Sequence, residues 1–252
     1  MRAIVPRAPF VILALTVLAC RGGFQVRNYP TPVSLYDAGL EQMRLGKWDN
    51  AIAALDQATI LLGPRDSLLP KAHFQLAQAL TKRKHFLLAA TSYKRIVDDF
   101  PDDSLADDAV IGMGDSYTSA WRGPGYDRAH ATDALQAYGL LPRLFPASPL
   151  VKRAHEGEAH INEQLARADY NTGIFYVKRS AYDSALIYFK DIVALYPGTT
   201  AARDALLKMI EIYKRLHYVA DAADACRALR SSYPAGVDVA GACATILTDT
   251  TK

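Results

Sequence analysis

His155 and His160, in the stretch His155-Glu156-Gly157-Glu158-Ala159-His160, come nearest to a metal-binding pattern in this chain. A zinc helix carries its two histidines four residues apart on one face. Five residues turn about 500° instead of about 400°, so these imidazoles diverge, and no metal centre is expected. Gly112-Met113-Gly114 lacks the third glycine of a dinucleotide loop and follows no strand, and is expected to mark a close helix contact. There is no Gly-x-Ser-x-Gly elbow and no Gly-Lys phosphate loop. No catalytic residue and no cofactor follow from the sequence, which leaves binding as the class of function to look for.

One cysteine does suggest covalent chemistry. Arg2 and Arg7 precede an apolar run from Ala8 to Ala19 that ends in a small residue, the layout of a secretory signal over 1–19. The run is too short to cross a bilayer as a helix, which takes roughly 20 apolar residues. Val17-Leu18-Ala19-Cys20 resembles the bacterial lipobox, which implies acylation of Cys20 once the signal is removed. Arg21 stands where an Asp would imply retention at the inner membrane, so sorting to the outer membrane is expected. Residues 20–33 carry Gly22, Gly23, Pro30 and Pro32 and are read as a tether that could extend about 45 Å.

The chain has 252 residues, half of them hydrophobic, with 29 Lys and Arg against 26 Asp and Glu. That composition excludes a disordered chain and a nucleic-acid binder working by bulk charge. Removing residues 1–19 takes away two arginines and no acids, leaving a net charge of +1.

The body repeats. A Pro is followed eight positions later by Ala five times, beginning at Pro64, Pro101, Pro146, Pro197 and Pro234. The last four prolines follow an aromatic residue, and each has an Ala twelve positions upstream: Ala89, Ala134, Ala185 and Ala222. Between Ala and Pro the apolar spacing is helical, as in Tyr182, Ala185, Leu186, Phe189, Ile192 and Val193, and the Pro then stops the helix. This register resembles the tetratricopeptide repeat, two antiparallel helices per unit. It implies an all-α, right-handed solenoid of about five repeats over 34–234, then a closing helix and tail over 235–252. Within it Trp48 holds a core position and Gly173 a helix crossing. Spacings between successive prolines of 37, 45, 51 and 37 residues place insertions in repeats three and four. The first falls around Trp121-Arg122-Gly123-Pro124-Gly125-Tyr126 and must be a loop. The second carries no Pro over Val151 to Arg179, and so lengthens a helix by about 21 Å and gives it an uncovered face.

A five-repeat lipoprotein with these insertions resembles the BamD (YfiO) family of outer-membrane protein assembly lipoproteins. The resemblance is carried by Gly114, Asp127-Arg128, Ala134, Phe145-Pro146 and Ser148. It continues with Leu165-Ala166, Phe175-Tyr176-Val177-Lys178-Arg179, Tyr182, Ala185, Tyr196-Pro197, Thr199, Asp204-Ala205-Leu206 and Tyr213. It implies a scaffold on the periplasmic side of the outer membrane. Its later repeats would dock on the β-barrel assembly subunit, alongside accessory lipoproteins, and its early repeats would meet unfolded barrel clients. A pilus or secretin assembly factor, and a repeat domain of a cell-wall enzyme, are the alternatives.

Within that frame Trp121, Arg122 and Tyr126 are candidate partner-binding residues, because Trp, Tyr and Arg are enriched at interface hot spots and the repeat does not need this loop. The opposing expectation is that the aromatics pack back on their own helices. Arg44, Lys82-Arg83, Lys178-Arg179 and Lys214-Arg215 end first helices, where cations offset the helix dipole. Cys226 sits at a packing position as a small hydrophobe, with a bond to Cys243 as the alternative.

Overall fold

The computed structural model describes residues 24–233 and 239–243; Cys20, the signal and most of the tail lie outside the described residues. A 3-10 turn at Val26–Asn28 leads into eleven described helices: α1 (Pro32–Arg44), α2 (Trp48–Leu61), α3 (Leu69–Lys82), α4 (Phe86–Asp99), α5 (Ala106–Ala120), α6 (Ala129–Leu144), α7 (Val151–Val177), α8 (Tyr182–Leu195), α9 (Thr200–Arg215), α10 (Val219–Ser232) and α11 (Val239–Cys243). The protein is all-α among its described residues. Each helix packs on the next, and odd-numbered helices also touch one another, α1 on α3, α5 on α7 and α7 on α9. Five antiparallel pairs in sequence order make a repeat array.

The small residues of the register are where the helices meet. Ala72, Ala89, Ala109, Ala134, Ala154, Ala185 and Ala205 have no exposed surface, and Ala222 almost none. The aromatic before each Pro caps an even-numbered helix in the same way. Phe100, Phe145, Tyr196 and Tyr233 leave the helical region with φ between −136° and −127°, and each N–H bonds the carbonyl four residues back. A following Pro disfavours the helical region for the residue before it, so the stop is local and recurs in repeats two to five.

Glycine sets the helix crossings where side chains are largest. A Cβ at Gly173 would lie 2.5 Å from the ring of the fully buried Phe189. Gly112 and Gly114 are likewise close contacts, with Tyr93 and Tyr138 at 2.5 Å from the position of an added Cβ.

Both insertions take the expected form. Residues 121–128 are a loop, and α7 has 27 residues, about 40 Å of helix. The expected uncovered face of α7 is mostly covered. Its first half gives Ala154, Ile161 and Leu165 to a core shared with α5 and α6. Its second half gives Ala166, with Tyr170, Ile174 and Val177 packed alongside, to the core of α8, α9 and α10. Among the large hydrophobic side chains of α7 only Phe175 stands exposed. The extra turns therefore join two cores.

Three local expectations are corrected. The 20–33 tether ends early, because Pro32 and Val33 already belong to α1, whose N-cap Thr31 accepts from the Ser34 N–H at 3.1 Å. Trp48 is half-buried, since it opens α2 at the edge of the array. Cys226 and Cys243 are bonded to each other and tie α10 to α11, with Cys243 fully buried against the last core.

Candidate partner-binding surface

The inserted loop of repeat three is held at both ends and free in the middle. Trp121 caps α5, with its N–H on the Tyr117 carbonyl at 3.0 Å, and its ring packs into the core shared by α5, α6 and α7. The expectation that Trp121 is displayed to a partner is thus corrected: burying a large indole outweighs exposing it, even though Nε1 finds no hydrogen-bond partner there. Arg122 and Tyr126 remain exposed. The Arg122 guanidinium lies 4.2 Å from the centroid of the Tyr126 ring, a cation–π pair on the tip of the loop. Gly123, at φ +106°, makes the turn between them, and the Tyr126 N–H donates to its carbonyl at 3.1 Å.

The far end is fixed by Asp127 and Arg128. Asp127 Oδ1 accepts from the Ala129 N–H at 3.0 Å and starts α6. Arg128 reaches α7, donating to both carboxylate oxygens of Asp169 at 2.5 and 3.2 Å, and leans on the Tyr196 hydroxyl at 3.5 Å. The hydrogen bond to Asp169 raises the Arg128 pKa further, so its charge is permanent. One arginine thus links the loop of repeat three to the long helix and to the capping aromatic of repeat four.

Next to the loop the structure shows a groove that sequence reasoning missed. Between α4, α5 and α6 lies an open hollow of about 400 Å³, floored by Met113, Tyr117 and Leu140 and rimmed by Lys94, Asp133 and Arg143. Tyr117 lies one turn before Trp121, which was the available signal. That residues of α4 and α6 line the same hollow was not readable from spacing.

A second polar network docks α9 on the inserted turns of α7. Glu163 accepts from the Thr200 N–H at 2.7 Å and its hydroxyl at 2.5 Å, while Arg167 bonds Asp204 at 2.9 Å and Glu163 at 3.1 Å. Burial pushes the Glu163 carboxyl up, but the bonds from Thr200 and Arg167 outweigh it and hold it below its ordinary value. A carboxylate at the N-terminus of α9 also meets the positive end of the helix dipole.

The histidines considered first are engaged locally, His155 Nδ1 with Glu158 at 3.0 Å and His160 Nε2 with Gln164 at 2.6 Å. Among the described residues no group of three His, Cys, Asp or Glu side chains is placed to hold a metal ion, and no helix is long and apolar enough to cross a membrane. Three of the four cations ending the first helices of repeats four and five are also taken up locally. Arg179 bonds the Phe175 carbonyl at 3.4 Å and lies over its ring, Lys214 bonds the Ala242 carbonyl at 2.6 Å, and Arg215 lies over Tyr182.

The family profile for YfiO, described as an outer membrane lipoprotein, matches residues 29–230, which is nearly the whole described body. The chain belongs to the YfiO family of outer membrane lipoproteins. Among curated relatives, the outer membrane protein assembly factor BamD of Pasteurella multocida is 26% identical over 223 residues, covering 82% of this chain and 84% of that protein. BamD of Haemophilus influenzae is 27% identical over 236 residues, covering 89% and 88%. Among solved structures, the TPR2AB domain of yeast Sti1 is 13% identical with a TM-score of 0.46, covering 87% of this chain and 84% of that one. A thermophilic tetratricopeptide-repeat protein of Thermus thermophilus is 17% identical with a TM-score of 0.37, covering 86% and 100%. Membership of the YfiO family agrees with the resemblance read from Gly114, the Asp127-Arg128 pair and the long fourth repeat.

Proposed function

We propose that this protein is a lipid-anchored scaffold of outer-membrane β-barrel assembly, attached through acylated Cys20 to the periplasmic side of the outer membrane. It binds the barrel assembly subunit and accessory lipoproteins, meets unfolded barrel clients, and performs no turnover. The single observation that carries this reading is the match of the family to residues 29–230, spanning the whole array and both insertions. The array supplies the physical basis: a solenoid whose extra helical turns join two cores is a rigid frame, and a rigid frame loses less conformational entropy on binding than a mobile one. Arg122 and Tyr126 are the loop residues that contact a partner, and Trp121 holds them in place from beneath.

The test is purification of the tagged full-length protein from gently solubilised envelopes, with the co-purifying proteins identified by mass spectrometry and Cys20→Ala as the control. Recovery of the barrel assembly subunit supports the reading. Recovery of a secretin in its place overturns it.

A further inference from the structure

In an array of antiparallel pairs, every turn from an odd to an even helix lies along one edge. In repeats one and two those turns carry Lys47, Lys82 and Lys84, all exposed and without an ion pair among the described residues. Arg44 and Arg83 lie beside them, engaged with Glu41 and Asp49 at 2.7 and 2.6 Å. The Arg83–Asp49 pair joins the two turns, so the lysines belong to one surface. Gly46 at φ +69° and Lys84 at φ +61° form the tips of their turns.

The same surface exposes large aliphatic side chains. Leu45 and Leu87 are each 47% exposed and Leu88 58%, directly before and after the lysine-bearing turns, and the half-buried Trp48 lies between. On the same edge of repeats four and five, Arg179, Lys214 and Arg215 are engaged with local carbonyls and rings, and Lys178 is exposed. Three of the bare lysines on this edge thus sit in the two repeats nearest the N-terminus.

We infer that the odd-to-even edge of repeats one and two is a membrane-contact surface that rests on anionic phospholipid headgroups. Lysines beside leucines at projecting turns suit the boundary between headgroup and acyl chain, with ammonium groups at the phosphates and leucines below them. An acidic protein partner would engage the lysines alone, whereas exposed leucines beside them favour a lipid surface. Cys20 lies twelve residues before Pro32 and α1 adds about 20 Å to the turn at its far end, so an anchor there would hold this edge within about 60 Å of the bilayer. That last step rests on the anchored reading; the surface chemistry does not.

The experiment uses the mature chain from residue 20 with Cys20→Ser, which carries no lipid, and sediments it with vesicles of equal parts phosphatidylethanolamine and phosphatidylglycerol. Binding is expected to these vesicles, to be weak to phosphatidylcholine vesicles, and to fall with added salt. Lys82→Glu with Lys84→Glu should reduce it at least about fivefold per lysine, and Leu87→Ser with Leu88→Ser should reduce it further. Both pairs are exposed, so unchanged circular dichroism confirms folding. Lys152→Glu, on the opposite edge, should leave binding unchanged. No binding to the anionic vesicles, equal binding to the neutral ones, or full binding by the double lysine variant overturns the proposal. Membrane fractionation of the wild-type protein against Cys20→Ser reads the anchor separately, so failure of one reading is distinguishable from failure of the other.

Discussion

Arg128 and Asp169, 41 residues apart in sequence, meet as a two-point clamp between the loop of repeat three and the middle of α7. Its partners are 43% and 21% exposed, so screening limits its worth. Arg128→Ala is expected to cost about 0.5–1 kcal/mol and to speed proteolytic cleavage within residues 121–128. Limited proteolysis with mass mapping checks the second effect, and wild-type cleavage kinetics would count against the clamp.

Burial separates the loop aromatics. Trp121→Ala should destabilise the fold by about 3–5 kcal/mol, as for other large aromatics removed from a core. Tyr126→Ala should leave thermal melting unchanged while weakening partner docking several-fold, read by quantitative pull-down. If Tyr126→Ala binds like wild type, the loop tip is not an interface.

Gly173→Ala places a methyl group where the Phe189 ring stands, and should cost about 1–3 kcal/mol in a urea melt. Gly63→Ala is the comparison, since nothing lies within 4 Å of an added Cβ there. Equal stability of the two variants would show that the helices can part without cost.

Glu163 and Asp204 are both held below their ordinary values of 4.5 and 3.8, in each case because hydrogen bonds and arginine charge overcome burial. A carboxylate depressed on folding adds stability that is fully present above its unfolded pKa and lost as pH falls through its folded one. Stability should therefore decline as the pH drops below 4.5, and Glu163→Gln should flatten part of that decline. Chemical melts across acidic pH give the slope, and an unchanged slope in the variant would remove Glu163 from the network's energetics.

Reduction of Cys226–Cys243 opens a loop with 17 residues of separation. For such a loop the stabilisation is about 3 kcal/mol. Melting with and without dithiothreitol should differ accordingly, whereas Cys226→Ser with Cys243→Ser should melt alike under both conditions.

The repeat register, the all-α class and both insertions were legible in the sequence because they are set within a single helix and its ends. A Pro disfavours the helical region for the residue before it, and an Ala or Gly at a fixed step lets two backbones approach. What α7 does with its extra turns was not legible. Ile161 and Ala166 lie five residues apart on one helix yet belong to different cores, and that depends on where α6 and α9 come to rest. The same holds for the candidate surface. The sequence marked Trp121, Arg122 and Tyr126 as an unneeded aromatic loop, but burial is a property of the whole array, and only the packed array sent Trp121 inward and left Arg122 on Tyr126 outside. The Cys226–Cys243 bond and the Arg128–Asp169 clamp were decided there too, since spacing along a chain does not fix distance across a turn of the solenoid.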